Sequence, residues 1–175
     1  MAGHGPILRW GALLQLLLVL GGCGYHFSGE GRGPQPGLQR IAIPVFDNDT
    51  TETRLEALFA NSLRREFIVR SALQVVPEEE AEAIFRGRIV KVWTAELAHL
   101  QAEKTIETRI YVTVDVRCQN AASGAMLWQD NHLTYHARYF QSPDPLVSYE
   151  SRRRAEATLA QELAVRIHDR FLSSF

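Results

Sequence analysis

The chain has 175 residues, 46% of them hydrophobic, and 19 Lys and Arg face 20 Asp and Glu for a formal net charge of −1. That near-neutral balance excludes a general nucleic-acid binder, whose affinity comes from cations that displace counterions along a phosphate backbone. Two cysteines exclude a disulfide-built scaffold, and the length suits one domain with a real core.

The N-terminus carries one certain charge, Arg9, then an apolar run from Trp10 to Leu20 broken only by Gln15, then Gly21, Gly22 and Cys23. This order is that of a secretory signal, and the run is shorter than the ~20 residues a membrane-crossing helix needs. Leu20-Gly21-Gly22-Cys23 resembles the lipobox of bacterial lipoproteins. The resemblance implies cleavage after residue 22, lipid attachment at Cys23 and, with Gly24 rather than Asp next, delivery to the outer membrane. One acyl chain holds a protein marginally and two hold it stably, so such a modification would anchor the chain to the membrane. The 153 residues left carry 18 cations and 20 acids, a formal charge of −2. Residues 24–39 contain five Gly and two Pro and read, with Cys23, as a tether (23–39) ahead of a domain over 40–175.

Arg40–Phe46 alternates Ile41, Ile43 and Val45 and predicts a first strand, with Pro44 placing it at an edge or facing outward. Asp49, Thr50 and Thr51 are N-cap candidates for a helix running to about Arg70, in which Leu55, Leu58, Phe59, Leu63 and Phe67 share a face. Leu73–Val76 reads as a short extended piece and Pro77–Ala81 as an acidic loop. Ala83 to about Ala95 is a second strand. In Thr105–Gln119 the residues Ile110, Val112, Val114, Val116 and Cys118 alternate with Tyr111, Thr113, Asp115, Arg117 and Gln119, which is a half-buried strand. Asn120–Gly124 is a hairpin turn, Met126–Phe140 a fourth strand, and Val147 to about Leu172 a helix with Ala155, Leu159, Leu163, Ile167 and Phe171 as its apolar stripe. The expected fold is α+β: a four-stranded mixed sheet in the order β-α-β-β-β-α, opening with a right-handed parallel crossover and closing as an antiparallel meander. Both helices would cover one face. The other, carrying Thr113, Asp115, Arg117, Asp130, Thr134 and Arg138, would be wet or open to a partner.

No set of residues points to an enzyme or a cofactor. His132 and His136 have ligand spacing on a helix, but on a strand they stand about 13 Å apart and cannot share a metal. Cys118 lies on an apolar strand face, where a thiol is inert. Asp47, Asn48 and Asp49 lack the Gly and the bidentate Glu of a calcium loop, and helix capping explains them better. Two features could bind a ligand. Arg152-Arg153-Arg154 opens the last helix against its dipole and could meet phosphates, or could be a solvated helix face. The tip Leu97–Lys104 could suit an amphiphile, or be a turn with local packing.

Cys23-Gly24-Tyr25-His26-Phe27 resembles the start of the mature LptE lipopolysaccharide-assembly lipoproteins. So do Ile41-Ala42-Ile43-Pro44-Val45-Phe46-Asp47-Asn48-Asp49-Thr50 ahead of an amphipathic helix, Arg86-Gly87-Arg88-Ile89, Met126-Leu127-Trp128 and Arg153-Arg154-Ala155. The resemblance spans nearly the whole mature chain. It implies a non-catalytic outer-membrane lipoprotein on the periplasmic side, seated as a plug in the lumen of an LptD-type β-barrel. Such a protein assists barrel assembly and lipopolysaccharide transport, and contacts lipopolysaccharide through basic loops. The corresponding residues here are Lys104 (with His99 beside it), Arg138, Arg152, Arg153 and Arg154. Lipid-anchored domains with a similar first strand also occur among secretion-channel subunits and regulators of peptidoglycan synthases, which leaves those as the alternative.

Overall fold

The computed structural model describes residues 34–100 and 105–174. Its elements are β1 (Arg40–Ala42), β2 (Asp47–Asn48), α1 (Leu55–Arg70), β3 (Gln74–Val75), a 3-10 turn (Glu78–Glu80), β4 (Ala83–Leu100), β5 (Thr105–Asn120), β6 (Met126–Gln141) and α2 (Pro145–Ser173). The fold is α+β with two helices and a mixed sheet. The sheet holds six strands rather than four, in the spatial order β3-β1-β4-β5-β6, with β2 also paired to β4.

The extra strands come from two misread stretches. Arg40–Phe46 is not one strand. It pairs with β4 at Ile41 and Ala42 and again, as β2, at Asp47 and Asn48, both times in parallel. Pro44, which has no N–H for a ladder, lies in the gap. Leu73–Val76 is more than an extended piece, since Gln74 and Val75 form β3, paired in parallel with Arg40 and Ile41. β4 also runs five residues beyond Ala95, so Leu97–Leu100 is strand rather than hairpin tip.

Helix α1 starts later than its polar flank suggests. Its N-cap is Arg54 at φ 75°, and no side chain caps it. Asp49, Thr50 and Thr51 therefore cap nothing. The preceding loop ties itself together instead: Asn48 Oδ1 accepts from the Thr50 N–H and hydroxyl, while Asn48 Nδ2 donates to the Glu52 carbonyl and Glu56 Oε2. Asp49 and Asp47 turn toward Arg88. Helix α2 has a conventional start, with Asp144 Oδ1 accepting from the Leu146 N–H and Pro145 in the first turn, where its missing N–H costs nothing.

Both helices lie on one sheet face because the apolar alternation of β5 and the stripes of α1 and α2 point at each other. Ile110, Val112, Val114 and Cys118 are wholly buried, as are Phe59, Leu63 and Phe67 of α1 to within 2% and Leu159, Leu163, Ile167 and Phe171 of α2 to within 1%. Phe67, Phe85 and Phe171 meet at ring-centroid distances of 5.1, 4.8 and 5.8 Å. Each ring, buried, contributes roughly 1.5–3 kcal/mol relative to exposure.

One residue assigned to the open face lies on the other. Between Val114–Leu133 and Val116–Asp130 the β5–β6 register shifts, a bulge that includes His132 at φ 60°. Asp130 is thereby turned to the helix side, where its carboxylate accepts a bond from Arg170 of α2.

Candidate functional site

With the register corrected, the open face is a set of cross-strand rows. Arg86 of β4 stands opposite Arg117 of β5, Arg88 opposite Asp115, Lys91 opposite Thr113, and Trp93 opposite Tyr111. On the β6 side, Thr134, His136 and Arg138 stand opposite Thr113, Tyr111 and Arg109. Trp93 and Tyr111 stack at 4.8 Å with planes 6° apart, His136 lies 5.3 Å beyond, and Lys91 Nζ sits 4.9 Å from the Trp93 ring. The rings face one another, so the row is a cross-strand ladder that stiffens the sheet.

Two concavities open on or beside this face. One, of about 230 Å³, is lined by Arg86, Arg88, Arg117, Asp115 and Gln129 among others. Two of its arginines are answered by carboxylates outside the strands: Arg86 pairs with Glu78 of the 3-10 turn at 2.7 Å and Arg88 with Asp49 of the loop after β2 at 3.2 Å. The second is a groove of about 560 Å³ between β6 and the stretch of α2 from Ser151 to Glu162. Tyr135, Ala137, Phe140 and Ala155 give it apolar walls, and Arg138 and Arg154 give it cations, beside His136, Glu107 and Glu162. Such a volume accommodates part of an amphiphile. Phe140, in its wall, is 47% exposed, as is Tyr149 in the first turns of α2, where Leu146 and Val147 are 64% and 51% exposed.

The structure brings together two of the residues singled out from sequence, Arg138 and Arg154, in this groove. Arg138 pairs with Glu107 at 3.3 Å, and Arg154, 80% exposed, pairs with Glu150 at 3.2 Å. It separates the other two. Arg152 turns away to clamp Glu52 at 2.7 Å and Glu156 at 3.0 Å, fastening α2 to the loop before α1. Arg153 lies over the Tyr149 ring at 5.8 Å. Tyr149 is further bonded by Arg54 at 3.2 Å, and that bond lowers its hydroxyl pKa. Cys23 and Lys104 lie outside the described residues, as do the side chains of His99 and Leu100. Leu97 is 42% exposed.

The residue that sequence reasoning missed is Arg109, directly across from Arg138. The β5 alternation places it on the same face as Tyr111, Thr113 and Arg117, so the signal was present. Cys118 is buried with its thiol pushed up to about 12 by desolvation, which removes it from nucleophilic chemistry. Among the described residues no cluster of His, Cys, Asp and Glu is arranged to hold a metal.

No curated protein matches the chain. A candidate lipoprotein from Caulobacter crescentus superposes with a TM-score of 0.51 at 16% identity, covering 74% of this chain and 89% of that one, a likeness of fold alone. An uncharacterised lipoprotein B from Nitrosomonas europaea gives 0.46 at 16% identity, covering 86% and 92%. A minor lipoprotein from Acinetobacter baumannii gives 0.41 at 12%, covering 78% and 92%. Residues 38–171 match the family LptE, described as lipopolysaccharide-assembly. The match takes in every strand and both helices to within a few residues of their ends, and the chain belongs to the LptE lipopolysaccharide-assembly family.

Proposed function

We propose that this chain is a non-catalytic outer-membrane lipoprotein, anchored through Cys23, that assists assembly of an LptD-type β-barrel and the passage of lipopolysaccharide to the outer leaflet. The observation that carries this reading is the family match over the folded domain. The groove adds to it: a cleft with apolar walls and two arginines is the form a site for an acidic amphiphile takes.

In this reading the domain sits on the periplasmic side as a plug in the barrel lumen. Its polar sheet face meets the barrel wall, and Arg138 and Arg154, with Lys104, meet the phosphates of lipopolysaccharide. Arg152 and Arg153 serve the fold, holding α2 and its first turn in place. The acyl chains at Cys23 keep the domain at the bilayer. The test is affinity purification of the tagged full chain from detergent-solubilised outer membranes. The expected result is co-purification of one large β-barrel protein; recovery of the chain alone would refute the barrel partnership.

A further inference from the structure

We propose that residues 24–28 of this chain's own N-terminal segment seat on the free edge of β6 as a seventh, antiparallel strand, with Tyr25 and Phe27 against the apolar walls of the β6–α2 groove. This placement rests on other observations than the barrel and lipopolysaccharide reading above.

β6 is the outermost strand on its side of the sheet. Along an antiparallel strand the backbone groups point alternately at the partner and away from it. The Phe140 N–H points away from β5, since it donates to Ser151 Oγ at 2.9 Å. The pairing with β5 is unbroken from Phe140 back to Leu133, so Arg138, His136 and Thr134 share that outward direction. Among the described residues their N–H groups have no partner. Ser151 closes this window at one end and the bulge at His132 closes it at the other. The groove follows the same edge, for its lining takes His136 and Arg138 from the open face of β6 and Tyr135 and Ala137 from the helix side. A groove between a strand edge and a helix is the form that receives an added strand: ladder bonds hold the backbone and alternate side chains fill the walls.

The path of the chain leads to this edge. Followed backward from β1, it crosses the end of the sheet toward β6. The Gln39 N–H donates to Glu82, just ahead of β4. Gln35 Oε1 then accepts from Asn120 Nδ2, at the end of β5, at 3.5 Å. The next strand in that direction is β6, which begins at this end with Met126. A segment arriving at Gln35 along β6 runs opposite to it, which makes the pairing antiparallel.

Length and pattern set the register. Phe27 lies eight residues before Gln35, and Val112 lies eight before Asn120, about 27 Å of extended chain in each case. Val112 pairs with Tyr135 and Ile110 with Ala137. An extended segment therefore brings Phe27 level with Tyr135 and Tyr25 level with Ala137. Residues at one level of a sheet share a face, so both rings turn to the α2 side and His26 turns to the open face beside His136. A slip of one residue would put the rings on the polar face, and the apolar walls on the helix side select against it. Tyr and Phe are strand formers. The seated run delivers Cys23 to the end where α2 begins, beside Leu146 and Val147, 64% and 51% exposed. A lipid entering the same groove has to displace the two rings.

The test is amide hydrogen exchange, read by NMR on the full chain in detergent, for wild type and the double variant Tyr25→Ser/Phe27→Ser. Both positions lie ahead of the folded domain, and the Tyr135 and Ala137 amides, which face β5, are the internal control. The His136 and Arg138 amides should exchange about tenfold or more faster in the variant, as expected for loss of a local protected structure, with the control amides unchanged. Separately, His26→Cys/His136→Cys should form an intrachain disulfide under mild oxidation, since directly opposed residues of such a ladder stand about 5.5 Å apart at Cα. The pair His26→Cys/Arg117→Cys should not. Equally fast exchange of His136 and Arg138 in wild type and variant would overturn the proposal, as would equal cross-linking of the two cysteine pairs. Recovery of a barrel in the purification above judges the broader reading independently of these results.

Discussion

Gly87 shows how much one missing methyl group decides. The residue sits in β4 opposite the buried Val116, on the face that the helices cover. An added Cβ would stand 2.4 Å from three ring carbons of Phe46, itself only 4% exposed. The ring of Phe46, in the stretch between β1 and β2, covers Gly87 while the chain runs along one edge of β4. Gly87→Ala should cost about 1–3 kcal/mol, the usual penalty for overpacking a filled core, read as a lower urea midpoint with an unchanged slope. The substitution would affect stability through Phe46, without touching the groove. At the same scale, His168 is wholly buried against Phe67 at 5.1 Å, with Nδ1 within 3.0 Å of Asp169 Oδ1 and Nε2 unpaired. No sequence pattern marks that histidine as core.

Between elements, the β6 bulge does more than break a register. It turns Asp130 inward to Arg170 and lets the next apolar residue, Leu133, return to the core. Asp115 of β5 holds the bulge, its Oδ1 accepting from the His132 N–H at 2.7 Å. The irregularity also interrupts the free edge of the sheet, which discourages pairing with another chain. His132 occupies the left-handed region at φ 60°. A β-branched residue there is strained, whereas glycine is at ease. His132→Val should therefore destabilise by roughly 1–2 kcal/mol, and His132→Gly should leave stability nearly unchanged or slightly higher. Thermal melts of the two variants check this; equal losses would show that the histidine side chain matters more than the backbone. The two helices are joined by a similar local device, Glu66 of α1 accepting from Arg70 and from Gln161 of α2 while Arg70 reaches Asp169 at 3.1 Å.

For the whole molecule, what enters the fold from the N-terminus is pinned by one carboxylate. Glu82 Oε2 accepts from the backbone N–H groups of Gln39 (2.8 Å) and Arg40 (3.2 Å), and Oε1 pairs with the Arg40 guanidinium at 2.9 Å. The two backbone bonds, more than the ion pair, lower the Glu82 pKa. A carboxylate with a lowered folded-state pKa binds protons less readily when folded. Its stabilisation is therefore complete above its unfolded value, about 4.3, and disappears as pH falls through the folded value. Glu82→Gln should melt lower than wild type at neutral pH, and the difference should close on the acid side. A difference that stays constant down to pH 2 would show that the bonds do not depend on ionisation. Leu38, 7% exposed, packs into the same core, so the folded unit takes in this pinned segment just before β1.

How much of this was legible depends on the kind of signal. Long amphipathic elements announce themselves: the alternation of Ile110 to Cys118 and the stripe Ala155 to Phe171 are repeated many times, so both faces of β5 and the buried side of α2 followed from residue order alone. The family resemblance was also a property of the linear chain, carried by short motifs in sequence. β2 and β3, two residues each, carry too few side chains to show a period, and only pairing with β4 and β1 makes them strands. The start of α1 went unread because its polar flank bonds to itself rather than to the helix. The Arg152–Arg154 run gave charge but not direction; the turn of α2 sends Arg152 to Glu52 and Arg154 to the groove. Asp130 changed faces through a single bulge, since a period of two reverses when one residue is inserted. The amino-acid order by itself determined the layers and the residues that fill the core. That Arg109 stands across from Arg138 was decided by strand register, a relation between residues 29 apart that only the tertiary structure fixes.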